Sequence, residues 1–222
     1  MIDELKFYIS ENIITYNNRV IPNSKPSLGI KASDLKNIAK KYAEAKDYSI
    51  FSEQHNYHEE DMIHAYMIGY INDVEKAYKY TDLIVPTISN WAVCDGLVSN
   101  LKIVKKNRTF FFSLVEKYRF SSKEYEKRFS LIMLLSHYVT DEYINEIFKI
   151  LDETEYDTYY VKMGAAWLLC ECFIKFRDVT LNYLGTTKID IWTFNKGIQK
   201  MIESYRVSQS DKILLKELKR VK

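Results

Sequence analysis

Six glycines and three prolines in 222 positions leave this chain little with which to turn. A β-sandwich or barrel turns often, and tight turns are built from Gly and Pro. An α/β fold with a glycine-rich phosphate loop draws on the same scarce residues. A helical chain is what remains, and apolar residues recur at helical spacing almost throughout. The spacing predicts helices over 2–17, 33–46, 57–70, 73–86, 89–102, 108–118, 122–138, 140–153, 157–176, 190–206 and 209–220, with shorter pieces over 47–54 and 178–184. Pro22 and Pro26 bracket the longest loop, and Ser33 and Asp34 can cap the helix that follows Gly29. Asn72 with Asp73, and Gly185 with Thr186 and Thr187, punctuate the rest.

A longer period lies over the helical one. The helices opening at 57, 89, 122, 157 and 190 start about 32–35 residues apart, each after another helix. That is the period of HEAT-like antiparallel helical hairpins, which stack into an α-α superhelix, a solenoid with one helix of each pair on a concave face. A bundle of helices of similar length fits the same spacing. No linker or low-complexity run divides the chain, so residues 1–222 read as a single all-α domain.

The acidic N-terminus is not followed by a signal-type apolar core, and no long uncharged apolar run suggests a membrane span. Three cysteines, Cys94, Cys170 and Cys172, sit in apolar stretches; an odd count reads as reduced thiols of a cytoplasmic protein. Cys170 and Cys172 are two apart and turn to different helix faces, which disfavours a zinc site. Of His55, His58, His64 and His137, the first two have a ligand-like spacing but straddle a loop-to-helix boundary, so no metal is expected. No nucleophile elbow, P-loop or dinucleotide fingerprint is present, and no cofactor is implied. Gly96 and Gly164 lie within helices and signal close packing.

A net charge of +2 argues at face value against a nucleic-acid partner. The charge is uneven, however. Residues 141–157 carry seven acids against one base, Lys149, while residues 158–222 carry twelve bases against six acids. A one-sided basic region suits a polyanion. The last bases, Lys212, Lys216, Lys219, Arg220 and Lys222, read as the solvated face of a terminal helix.

Within this frame Asn90-Trp91-Ala92-Val93-Cys94-Asp95 stands apart, because Trp91 and Asp95 share a helix face among apolar neighbours. An acid so placed is costly unless it is paired, capped or opened to a cleft; an exposed Asp beside a core Trp is the plainer alternative. Tyr160-Val161-Lys162-Met163-Gly164-Ala165-Ala166-Trp167 repeats the theme, and the helix between carries Tyr125-Glu126-Lys127-Arg128-Phe129. At the array period these three helices are consecutive concave-face candidates, so Trp91, Asp95, Arg128 and Trp167 are expected to converge in one cleft. Two indoles, a carboxylate and a guanidinium suit a cationic or sugar-phosphate ligand.

On these residues, together with Leu28-Gly29-Ile30-Lys31 and Tyr57-His58-Glu59-Glu60, the sequence resembles the DNA alkylation repair glycosylases of the AlkD type, built from HEAT-like repeats. The resemblance runs over nearly the whole chain. It implies that Asp95 is the catalytic acid, that Trp91 and Trp167 flank the lesion-bearing nucleotide, and that Arg128 contacts the DNA backbone nearby. It further implies a monofunctional glycosylase that removes purines alkylated at N3 or N7 from double-stranded DNA, acting through the backbone and not through a deep pocket for a flipped base. In the family the Arg128 helix often carries an aromatic and then two arginines; here Lys127 replaces one, so a bidentate donor becomes a point charge. Some relatives lack the acid and the tryptophans and bind DNA without catalysis; retention of all three here favours catalysis.

The chemistry agrees with that role. A cationic alkylpurine is already a good leaving group, so one carboxylate that stabilises the oxocarbenium-like sugar and directs water suffices. Neutral lesions should be poor substrates. Independently of the resemblance, Lys162, Lys196, Lys200 and Arg206 are candidate phosphate contacts on the concave helices, with a solvated face as the alternative for Lys196 and Lys200. The expected molecule is a cytoplasmic monomer acting on duplex DNA. Non-catalytic binding of damaged or branched DNA is the runner-up, and a protein-interaction scaffold comes third.

Overall fold

A computed structural model describes residues 2–220, which are helical and without strands; Lys222 of the basic tail lies outside them. The chain forms two compact units, Met1–Asn107 and Arg108–Lys222. In the first, the helices are α1 (Ile2–Leu5), α2 (Glu11–Val20), α3 (Ala32–Glu44), α4 (His58–Ile68), α5 (Val74–Ile84) and α6 (Trp91–Asn100). In the second they are α7 (Arg108–Tyr118), α8 (Glu124–Met133), α9 (Ile144–Glu153), α10 (Tyr159–Lys175), α11 (Arg177–Leu184), α12 (Ile191–Glu203) and α13 (Gln209–Glu217).

The longer period is visible in these bounds, since α4, α6, α8, α10 and α12 open at 58, 91, 124, 159 and 191. Within the first unit α4 packs against both α3 and α6; within the second α10 packs against both α8 and α12. The pairs α4 with α6, α8 with α10, and α10 with α12 thus set alternate helices side by side, as in stacked hairpins. Ile63, Met67, Cys94 and Leu97 on α4 and α6, and Phe129, Ala165, Leu169 and Ile198 on α8, α10 and α12, are all fully buried. Each larger side chain of this kind stabilises the fold by about 1.5–3 kcal/mol.

Several elements depart from the periodicity reading. The helix expected over 2–17 breaks at Ile9 and Ser10, whose backbones are extended. Packing explains the break. Gly29 has φ +70°, and a methyl group there would lie 2.2 Å from the Ser10 carbonyl oxygen, so the chain turns away at that crossing. Ser33 and Asp34 do not cap α3; it opens at Ala32 with Lys31 in the N-cap position, and Asp34 instead complements the positive end of the helix from the first turn. The helix expected over 122–138 ends as α at Met133 and widens into a π turn over Leu134–Tyr138. The piece expected over 47–54 is a 3₁₀ turn, Ser49–Ser52.

Candidate nucleic-acid interface

In the first unit, Asn90 fixes where α6 begins. It is fully buried, and its side-chain oxygen accepts a hydrogen bond from the Val93 amide at 3.1 Å, the N-cap arrangement. Trp91 and Asp95 follow four apart, both half-buried, while Cys94 and Leu97 of the same helix are fully buried. Asp95 is therefore not sealed in the core. The Trp91 indole nitrogen donates to the Val20 carbonyl at the end of α2, 2.9 Å away. Gly96 keeps α6 close to α4: a methyl group there would meet the Met62 Cε at 3.0 Å and Tyr66 Cε1 at 3.2 Å.

The loop between α2 and α3 is held by a residue that the sequence placed in a motif without a role. Glu59, fully buried, accepts from the Ser27 hydroxyl (2.8 Å) and from the amides of Leu28 (2.8 Å), Gly29 (2.9 Å) and Ile30 (3.4 Å). Glu60 reaches back to the Asn56 and Tyr57 amides at 2.8 Å each and closes the start of α4. Acids at the head of a helix followed by apolar residues were the available signal. Beside them is a cleft of about 200 Å³ whose lining includes Lys25, Phe51, His55, Asp61 and His64. Asp61 takes Lys25 at 2.7 Å and His55 Nδ1 at 2.8 Å, and His55 Nε2 lies 2.9 Å from the Ile50 carbonyl.

Both His55 ring nitrogens face acceptors, the arrangement of an imidazolium. Burial opposes its charge, but the hydrogen bonds to Asp61 and Ile50 outweigh burial and raise its pKa. Burial likewise works against the Asp61 charge, and the His55 and Lys25 contacts overcome it and hold the carboxyl below its ordinary range. His64 behaves oppositely. Stacked on Phe51 at 4.3 Å, it is pushed down to about 3 by burial, with the charge on His55 adding to the effect. No group of three side chains that could hold a metal ion occurs among the described residues, and no helix among them is long and apolar enough to cross a membrane.

The second unit holds the other indole. Trp167 on α10 is 37% exposed; the Arg128 guanidinium lies 5.7 Å and the Lys200 ammonium 6.0 Å from its ring centroid, both within cation–π range. Arg128 itself is only 2% exposed and donates to the Tyr160 carbonyl at 2.8 Å. It is packed against the Trp167 ring. Beside Trp167 is a cleft of about 260 Å³ lined by Leu135, Trp167, Cys170, Glu171 and Lys200. Burial pushes the Cys170 thiol up to about 11, so it stays protonated at neutral pH.

The remaining candidates divide. Lys127, expected as a phosphate contact, is 2% exposed, with its ammonium 3.3 Å from both the Asp157 carboxylate and the Glu155 carbonyl. The acidic stretch before α10 takes up its charge. Lys162 lies 3.6 Å from Asp190 and 5.8 Å from the Trp192 ring, and Lys196 is half-buried on α12. Arg206 is forked onto the Glu171 carboxylate. Trp91 and Asp95 thus share one face in the first unit, and Arg128, Trp167 and Lys200 form one cluster in the second.

Comparison with curated proteins gives no match. A family model described as DNA alkylation repair enzyme matches residues 1–201. That stretch runs across both units and takes in Trp91, Asp95, Arg128 and Trp167, with Arg206 just beyond its end. The match extends over all but the last turns of the chain, and the protein belongs to the DNA alkylation repair enzyme family.

Proposed function

We propose that the protein is a monofunctional DNA glycosylase that hydrolyses the N-glycosidic bond of cationic N3- or N7-alkylated purines in duplex DNA. Asp95 is the catalytic carboxylate. It is partly open to solvent on the Trp91 face of α6, and this placement carries the reading. Ionised beside the deoxyribose, it stabilises positive charge developing at C1′ and directs the attacking water. Trp91 and Trp167 supply ring faces for the sugar and the cationic nucleotide, an attraction of roughly 0.5–2 kcal/mol each. Arg128 acts as a positioning residue that supports Trp167 from below. Lys162, Lys196, Lys200 and Arg206 supply phosphate contacts, while Lys127 is left to structure. The protein acts as a monomer, and three buried cysteine thiols suit the cytoplasm.

The test is release of 7-methylguanine from methylated duplex by wild type and Asp95→Asn. Wild type is expected to release the base, and the variant to be slower by about 10²–10⁴-fold with duplex affinity retained. A wild-type protein that binds duplex yet releases no base makes this a DNA-binding protein without catalysis. Equal rates for a neutral and a cationic lesion would contradict the single-carboxylate mechanism.

A further inference from the structure

The third tryptophan has no part in the site described above, yet its surroundings resemble those of Trp167. Trp192, in the first turn of α12, is 42% exposed. The Tyr159 ring, 56% exposed, stands against it edge-on with centroids 5.9 Å apart at 63°. The Lys162 ammonium lies 5.8 Å from the indole centroid. Asp190 caps α12 through Oδ1, which accepts from the Trp192 amide at 3.1 Å and the Thr193 amide at 3.3 Å and lies 3.6 Å from Lys162, while its Oδ2 is buried without a hydrogen-bond partner. Two accessible rings set edge to face beside an ammonium are the parts of a nucleotide platform, a face for the base and a cation for its phosphate.

Position along α12 strengthens this. Trp192, Lys196 and Lys200 are spaced four apart and share a helix face. Lys200 is the lysine over Trp167. Eight residues of helix place Trp192 about 12 Å from Lys200 along the axis, which is roughly three to four nucleotide steps of a duplex strand. A paired base has both faces stacked, so a ring at that distance is useful only to a base that has left the stack. The patch is too small for a protein partner: two rings and Ile191 fall well short of the roughly 800 Å² that a stable interface takes from each side.

We propose that Tyr159, Lys162 and Trp192 form a second nucleotide-stacking site, which takes an unpaired base a few steps along the bound strand from Trp167. The proposal rests on the DNA reading above. Its test uses duplexes carrying one bulged 2-aminopurine at scanned distances from a fixed alkylated purine, against a fully paired control. In wild type the 2-aminopurine fluorescence should be quenched at one narrow range of distances, with tighter binding to that bulged duplex than to the control. Trp192→Ala and, independently, Tyr159→Ala should lower that preference, the former by roughly 5- to 100-fold, and Trp192→Phe should keep most of it. Undiminished quenching and preference in Trp192→Ala would overturn the site. Wild-type binding to paired and bulged DNA alike would overturn it while leaving the DNA reading intact. Failure of wild type to bind either would remove both.

Discussion

His64 makes the stability of the first unit depend on pH in a calculable way. Folding holds its pKa at about 3 against an ordinary 6.5. Between those values the unfolded chain takes up a proton that the folded chain refuses, so stability falls as pH falls. At pH 7.5 both states are neutral and the contribution is almost nil. At pH 5.5 the unfolded state is favoured by about 1.4 kcal/mol through this one group, roughly a tenfold shift in the folding equilibrium. His55 works in the other direction. Its pKa is raised, so its contribution is fully present below the ordinary value and is lost as pH rises through the folded one. Wild type alone would therefore show a blunted slope. The comparison that isolates His64 is urea unfolding of wild type, His64→Phe and His64→Gln at pH 7.5 and 5.5. Relative to wild type, both variants should gain about 1.4 kcal/mol between the two pH values, whatever each substitution costs at pH 7.5. A difference from wild type that is the same at both pH values would refute the reasoning.

Glu59→Ala should destabilise the protein by on the order of 3–5 kcal/mol, because four donors lose a buried charged acceptor; thermal unfolding reads this directly, and a loss under 1 kcal/mol would contradict it. Asn90→Ala removes the α6 cap and should cost about 1 kcal/mol, with the neutral capping substitution Asn90→Ser recovering part of it in the same melts. Lys200→Ala should reduce the slope of log affinity for duplex DNA against log salt by about one. Lys127→Met should leave that slope unchanged and move the denaturation midpoint little, since an apolar side chain replaces the buried ammonium while the half-exposed Asp157 returns to water.

The helices were legible because burial follows a 3.6-residue period, and α3, α7, α11 and α12 begin within about one residue of their expected positions. The break at Ser10 was not, because it depends on Gly29 pressing on that carbonyl from nineteen residues away in sequence. Trp91 and Asp95 could be placed on one face by counting. The fate of Lys127 and Arg128 could not, since a basic residue reads as solvated until its partners are known. Those partners are Asp157 and the Glu155 carbonyl for one, the Tyr160 carbonyl and the Trp167 ring for the other. The excess of acids over 141–157 was visible as a number, but not as the counterweight to a buried lysine. Glu59 was missed for a related reason: nothing local in a helix-opening glutamate says that it will collect amides from a loop some thirty residues earlier.

The central place of α10 limits how this surface can change. Packed against α8 on one side and α12 on the other, it buries Val161, Gly164, Ala165, Ala166, Leu168, Leu169, Cys172 and Phe173 nearly completely, so substitutions there are read first as damage to the fold. Tyr159, Lys162, Trp167 and Glu171 are among the positions on it that reach solvent. A descendant of this protein that handled a different nucleotide would have few letters of α10 in which to write the difference, and the same letters are where an engineer would begin.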